Sequence, residues 1–252
     1  MIRFVRRAGT LIVLLLAWES LVALLGSPRA PRPSTVALAA VDLIQSGELL
    51  AGLATSLGRV FAGFVLACAL AIPLGIIMGS IRPVERNLDP LVESFRPVAA
   101  IAILPLVILW LGSGDSAAIT IVAYAAFFPV LINTVSGVKR IEPNLMRAAE
   151  TMGIPTITRM RAVLLPAALP SVLVGMRLGL GVAWTAIIAA ELAVGAKAGG
   201  NGGIGQMMFV FYAYSVKLSG IVVCMAAVGL VALCLDRLLR ALLKYFVPWS
   251  TA

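Results

Sequence analysis

Long apolar stretches, interrupted by short polar segments, dominate the chain. A helix needs about 20 apolar residues to cross the hydrocarbon core of a bilayer, and six stretches are candidates by that criterion. They cover residues 10–25, 57–78, 98–111, 117–138, 163–194 and 218–235. An amphipathic segment at 35–50 is expected to lie at the membrane surface. The pattern predicts an all-α polytopic membrane protein with about six transmembrane helices in a single domain, residues 1–252.

The composition supports a membrane location. Of the 252 residues, 61% are hydrophobic and 12% are charged, whereas about a quarter of the residues in a soluble domain are charged. The net charge of +9 would suit a nucleic-acid-binding protein, but the basic residues lie between apolar stretches rather than on one polar face. We therefore exclude nucleic acid as a partner and expect the chain to contact membrane lipid.

The distribution of Lys and Arg predicts the orientation. With the N-terminus placed inside, most basic residues fall on the cytoplasmic side: Arg3, Arg6, Arg7, Arg82, Arg86, Lys139, Arg140, Arg147, Arg159, Arg161, Arg237, Arg240 and Lys244. The opposite side has Arg29, Arg32, Lys197 and Lys217. This asymmetry predicts that both termini are cytoplasmic. The stretch at 10–25 contains Glu19 and lacks a clear cleavage site after it, so a retained first span is expected.

The polar segment at about 139–162 has its own helical pattern. Asn144 is expected to cap a short helix that ends at Met152, and Gly153 is expected to adopt the left-handed conformation that terminates it. Pro155 suits the first turn of a second short helix, and Pro166 is expected to break the chain before the next span. The segment is predicted to be a helix–turn–helix on the cytoplasmic membrane face.

This segment has two interpretations from its residues alone. Ala148 and Ala149 give the first helix a small surface, and the neighbouring apolar side chains add contact area, so that it could insert into a groove of another protein. The alternative is a plain cytoplasmic loop whose charges only satisfy the topology.

A spaced motif in the same segment resembles a known family. Ala148, Ala149, Gly153, Leu165 and Pro166 are in register with a signature of Glu-Ala-Ala, three residues, Gly, nine residues and Ile-x-Leu-Pro, with Val163 at the Ile position. That signature is similar to the coupling loop of permeases in binding-protein-dependent ATP-binding-cassette (ABC) importers, which have a MetI-like fold. Arg147 stands at the Glu position, and neighbouring Glu150 is expected to supply the acidic group.

Other stretches resemble the nitrate, aliphatic sulfonate and taurine branch of that family. They include 96–115, 127–139, 175–185, 189–192 and the closing Val-Pro-Trp at 247–249. The resemblance implies a bacterial inner-membrane subunit that pairs with a second permease copy as a homodimer and receives a small anion from a periplasmic binding protein. Taurine, a sulfonate, nitrate and bicarbonate are the implied substrates.

The resemblance also implies how the chain is driven. Two ATP-binding-cassette ATPase subunits would carry ATP and Mg²⁺, so that this chain needs no cofactor or metal of its own. The implied ATPase-coupling residues are Leu145, Met146, Arg147, Ala148, Ala149, Glu150, Met152, Gly153 and Ile154. A glycine-rich loop at 195–205 is expected to face outward and meet the binding protein.

Charged residues inside the fifth apolar stretch are candidates for the substrate pathway. Helical spacing places Arg177, Gly181, Trp184, Ile188 and Glu191 on one stripe, with Thr185 beside it. Since a buried membrane Arg usually faces a cavity or a partner, Arg177 could attract an anionic substrate and Glu191 could contribute to an outer gate. Alternatively, both side chains brace contacts between helices. The sequence leaves these alternatives open.

Two other classes of membrane protein fit the sequence less well. An ion-coupled carrier or channel would need intramembrane acids or broken helices at matching positions of two halves, and no two-half symmetry is visible. A membrane enzyme would need a catalytic constellation, but the chain has no His and no paired intramembrane carboxylates. A non-catalytic transport subunit is the function that the sequence predicts.

Overall fold

The computed structural model describes residues 2–25, 30–194 and 202–246. The described residues form helices joined by short turns: α1 (Ile2–Leu25), α2 (Pro33–Gln45), α3 (Glu48–Ser80), α4 (Arg82–Phe95), a 3-10 turn (Ala100–Ile103), α5 (Leu104–Leu111), α6 (Asp115–Lys139), α7 (Pro143–Thr151), α8 (Thr156–Arg159), a π turn (Met160–Leu164), α9 (Leu165–Val194), α10 (Ile204–Val210), a second π turn (Phe211–Ser215) and α11 (Leu218–Phe246). The predicted all-α class is confirmed.

Among the described residues, four helical segments are long and apolar enough to cross a membrane. They are Glu48–Ser80, Asp115–Lys139, Thr156–Val194 and Leu218–Leu243. A fifth results if α4 and the segment Ala100–Leu111, which meet at an angle of 84°, form one broken span. The first predicted span lies within α1, a helix of 24 residues.

The third predicted span differs most from expectation. Instead of one helix over 98–111, the chain leaves α4 at Phe95 and resumes as a 3-10 turn at Ala100. Pro97 explains the break, since it lacks the backbone N–H that would continue the hydrogen-bonding pattern of α4. The segment after the bend, four residues of 3-10 helix and eight of α5, is too short to cross a bilayer unaided.

Three local expectations for the cytoplasmic segment are corrected. The first helix begins at Pro143 with Glu142 at its N-cap, so Asn144 is not the cap. Pro155 is the N-cap of α8 rather than part of its first turn. No break occurs at Pro166, because the helical path is continuous over Thr156–Val194 and the π turn just before Pro166 shifts the hydrogen-bonding register.

The described residues pack in two compact units. One consists of residues within 56–190 and 232–252. At its centre, α6 has buried side chains along its length, from Ala117 to Val138. A Cβ added at Gly75 of α3 would lie 2.7 Å from Thr134 of α6, and one at Gly175 of α9 would lie 2.7 Å from Asn133. These close approaches place α3 parallel and α9 antiparallel to α6, in the glycine-mediated manner of membrane helices.

The other unit consists of residues within 1–55 and 191–231. Here Glu19, for which the sequence offered no partner, accepts hydrogen bonds from the Ser34 backbone N–H (3.2 Å) and hydroxyl (3.1 Å). Ile204, at the start of α10, is fully buried. The predicted outward loop at 195–205 lies outside the described residues over 195–201, as does the closing motif at 247–249.

Candidate coupling loop and membrane cavity

The turn after α7 is built by its hydrogen bonds. Gly153 has φ +68°, as predicted from its position. Its N–H donates to the Glu150 carbonyl (2.9 Å), and the Ile154 N–H donates to the Ala149 carbonyl (3.1 Å). These two bonds form a Schellman motif, which satisfies the last carbonyls of the helix. The sequence therefore fixes a sharp reversal between α7 and α8.

Apolar contacts anchor α7 to the inner ends of the long helices. Val138 of α6 forms a buried cluster with Leu164 and Ala168, and the partly buried side chains of Ile141 and Met146 pack against it. Ala149 is 2% exposed. The two alanines therefore differ, because Ala149 faces its own chain and Ala148 is exposed.

An ion pair connects α7 and α8. Arg159 of α8 donates to Glu150 of α7 at 2.5 Å. Glu150, which was expected to supply the acidic group of the loop, is thus paired within its own chain. Although an exposed pair contributes little stability, this one joins the two short helices across the turn.

The rest of the segment presents side chains outward. Met152 is 70% exposed and Ile157 is 68% exposed, and both are apolar side chains that a soluble loop would not favour. We call the following residues the coupling surface: Leu145, Arg147, Ala148, Met152 and Ile157. Ile157 was not among the coupling residues predicted from the sequence, although an apolar residue in a polar loop could have indicated it. Of the other predicted coupling residues, Gly153 is exposed and Met146 and Ile154 are half-buried.

Arg177 meets a carboxylate on another helix. Its Nε donates to Oδ1 of Asp236 on α11 at 2.6 Å. Asp236 also pairs with Arg240, one turn further along α11. Sequence reasoning did not pair Asp236 with Arg177, though an acid near the end of an apolar stretch was a signal. This contact is the helix–helix brace that was one of the two interpretations of Arg177.

Glu191 is also engaged within the chain. Its side chain is 2% exposed and accepts a hydrogen bond from the Gly205 backbone N–H at 3.0 Å. It thereby satisfies a donor in the first turn of α10, where a negative charge is also favoured by the helix dipole. The contact again corresponds to the bracing interpretation.

A cavity of about 720 Å³ opens beside the bend after α4. Its wall includes Arg96 and Val98 at the bend, Tyr124 and Asn133 on α6, and five residues of α9: Leu178, Val182, Thr185, Ala186 and Ala189. Of the six predicted pathway residues, Thr185 lines this cavity. The face of α9 that contains Arg177, Gly181, Trp184, Ile188 and Glu191 contributes none of its lining residues.

Comparison with solved structures defines the class of fold. The chain resembles a chain in a structure described as an inward-facing conformation of the MetNI methionine ABC transporter, with a TM-score of 0.68 and 18% sequence identity. The match covers 80% of this chain and 97% of that chain. It establishes the fold, which is the MetI-like architecture that the resemblance implied.

The family follows from the sequence itself. Residues 71–249 match the family described as the inner membrane component of binding-protein-dependent transport systems, and the chain belongs to this family. It is therefore a permease subunit of an ABC transporter, and membership implies ATPase and substrate-binding partners in a transporter complex.

Three relatives of similar length are named as transport permeases. An ABC transporter permease protein of Methanocaldococcus jannaschii is 40% identical, with 91% of this chain and 86% of that protein covered. The taurine transport system permease protein of Escherichia coli is 35% identical, with 96% and 88% covered. A permease protein of Bacillus subtilis named for aliphatic sulfonates is 34% identical, with 88% and 78% covered.

Proposed function

We propose that this chain forms the translocation pathway of an ATP-driven importer for small sulfonate-like anions, and that the coupling surface docks on a partner ATPase. The observation that supports the docking is the combination of exposed apolar side chains, Met152 and Ile157, with a firmly anchored loop. Exposed apolar groups next to buried anchors are typical of a binding surface.

The anchoring explains how a partner's motion could reach the membrane. Met146 packs on Val138 of α6 and Leu164 of the π turn, and α9 continues from that turn without a break. A displacement of α7 would therefore be transmitted to α6 and α9 instead of being absorbed by a flexible loop. Since packed helices shift between discrete arrangements, ATP binding on the partner could favour one arrangement of the pathway.

The substrate class rests on the relatives. Two of them are named for taurine and for aliphatic sulfonates, and both kinds of molecule have a sulfonate group. The cavity beside the bend, which is lined by Arg96 and Asn133, provides hydrogen-bond donors for such an anion. In this proposal the predicted pathway stripe of α9 has a structural role, bracing and packing the helix, instead of lining the pathway. The stripe consists of Arg177, Gly181, Trp184, Ile188 and Glu191.

The proposed assembly contains two copies of this chain, two ATPase subunits that hold ATP and Mg²⁺, and a periplasmic binding protein that delivers the substrate. The chain performs no covalent chemistry. It lies in the bacterial cytoplasmic membrane with both termini in the cytoplasm, so that the segment at 139–162 faces the ATPases.

Reconstitution in liposomes tests the proposal. The permease would be purified with and without its ATPase, and uptake of radiolabelled taurine would be measured with ATP inside and the binding protein outside. We expect uptake only when all components and hydrolysable ATP are present. Uptake by the permease alone, driven by an ion gradient, would show an ion-coupled carrier instead.

A further inference from the structure

The bend between α4 and α5 lies at membrane depth. At the inner end of α6, Lys139 pairs with Glu85 of α4. Further along, the Tyr124 hydroxyl of α6 donates to the Phe95 carbonyl at the end of α4, at 2.8 Å. The 15 residues from Tyr124 to Lys139 span about 22 Å along a helix axis. In a hydrocarbon core of about 30 Å, that places the bend well inside the bilayer.

Irregular backbone at this depth needs protein or water around it. Hydrogen-bonding groups of a non-helical segment are not tolerated against lipid, and they occur only where they are buried in protein or line an aqueous cavity. Residues 97–99 lie outside regular helix and are exposed, and they line the 720 Å³ cavity. The cavity is therefore expected to be water-filled.

Arg96 is the charged group at this bend. In contrast, Arg59 donates to Asp115 at 2.7 Å and Arg177 donates to Asp236 at 2.6 Å. Within the described residues, the Arg96 side chain has neither an ion pair nor a hydrogen bond, and it is the one charged side chain in the cavity wall. An uncompensated Arg inside a membrane is costly and marks an ion or substrate path.

A second polar residue of the cavity wall, Asn133, can also donate to an anion. Asn133 on α6 uses one amide hydrogen in a bond to the Pro129 carbonyl at 2.8 Å, and its amide nitrogen has a second hydrogen to donate. Thr185 on α9 also lines the wall, but its hydroxyl hydrogen is donated to the Val182 carbonyl at 2.8 Å. With no acidic residue among the described lining residues, the cavity has a positive potential, which low-dielectric walls strengthen.

We propose that Arg96, with Asn133, forms a binding site for a small oxyanion of sulfonate type inside the membrane-spanning part of this chain. The identity of that anion rests on the proposed import function, whereas the preference for negative charge rests on the cavity alone. Selection by charge would then occur within the permease as well as in its binding protein.

The test measures charge preference in the cavity directly. Cys68, Cys224 and Cys234 are replaced by Ala, and Ala189→Cys places one thiol in the cavity wall of the permease–ATPase complex in lipid nanodiscs. The rates of modification by anionic methanethiosulfonate ethylsulfonate and by its cationic trimethylammonium counterpart are compared. Arg96→Gln should lower the anionic-to-cationic rate ratio about tenfold or more, and Arg96→Lys should preserve it.

Arg86→Gln is the matched control, because Arg86 lies on α4, the helix that ends just before Arg96, but not in the cavity wall. It should leave the rate ratio unchanged. An unchanged ratio in Arg96→Gln overturns the proposal, as does dissociation of two permease copies in that variant alone, since Arg96 would then brace an interface.

The assay separates this inference from the import function. If the anionic-to-cationic rate ratio depends on Arg96 but the protein shows no ATP-dependent uptake, the anion site is supported and the importer proposal is contradicted. If taurine uptake depends on ATP but the rate ratio is the same with and without Arg96, the importer proposal is supported and the anion site is contradicted. In the importer, free taurine should protect the thiol of Ala189→Cys from the anionic reagent, and Arg96→Gln should abolish that protection.

Discussion

At the scale of single residues, Arg177 shows how a distant partner determines the role of a charged group. The sequence placed an Arg inside an apolar stretch and left two roles open. The structure pairs it with Asp236, 59 positions later in the chain. Local pattern does not encode which helices are neighbours, so this contact could not be predicted, and neither could the contact between Glu191 and Gly205. Once formed, such pairs are sensitive to loss of one partner.

The Arg177–Asp236 pair can be tested by a double-mutant cycle. Arg177→Gln and Asp236→Asn should each lower the midpoint of thermal unfolding in detergent, because each removes the hydrogen-bonded pair between α9 and α11, although Asp236 keeps its pair with Arg240 in the first variant. The double variant should lose less than the sum of the two. Arg237→Gln, an exposed neighbour on α11, should change the midpoint little. Strict additivity of the two single variants would contradict the pairing.

Gly153 was predicted from the sequence because the left-handed conformation favours glycine after a helix. A Cβ there would meet no atom within 4 Å, so Gly153→Val introduces conformational strain of about 1–2 kcal/mol without a steric clash. We expect this variant to take up less substrate per ATP hydrolysed, measured in reconstituted liposomes.

Gly47 provides a matched control for that prediction. It has φ +76° and equally open space, and it lies in the turn between α2 and α3. Gly47→Val should be destabilised to a similar extent while its ratio of uptake to hydrolysis stays normal. If Gly153→Val kept the full ratio, the turn would have no part in coupling.

At the scale of elements, the apolar stretches predicted helices more reliably than their ends. The predicted span at 117–138 corresponds to α6, Asp115–Lys139, because a long apolar run has few alternatives to a helix in a bilayer. The bend after α4 and the π turn before α9 were not foreseen. Both occur near prolines, where the loss of a backbone hydrogen bond can end a helix or only shift its register.

The close packing of α3 on α6 gives a prediction for two glycines of one helix. Gly75→Ala would bring a Cβ to 2.7 Å from Thr134, whereas a Cβ at Gly58 meets nothing within 4 Å. Gly75→Ala should cost about 1–3 kcal/mol through overpacking, and Gly58→Ala should be neutral or slightly stabilising. Thermal unfolding of the two purified variants measures the difference. Equal midpoints would contradict the close approach of α3 and α6.

At the scale of the whole molecule, the sequence predicted a permease with a coupling loop but not how the loop is seated. The spacing of Ala148, Ala149 and Gly153 located the segment. It did not show that Ala149 is buried in its own chain or that Ile157 is exposed, because these depend on the packing of α7 against α6 and the π turn. The cavity was missed for the same reason, since its wall combines three segments that are far apart in sequence.

The central claim is that the coupling surface contacts a nucleotide-driven partner, and site-directed cross-linking of the complete transporter tests it most directly. In a background without native cysteines, Met152→Cys and Ile157→Cys would be labelled with a thiol-reactive photo-cross-linker and irradiated in the presence of ATP, ADP or no nucleotide. We expect both to cross-link to the ATPase, with yields that depend on nucleotide, whereas the buried control Ala149→Cys should not react. No cross-link from either exposed position in any nucleotide state would contradict the account.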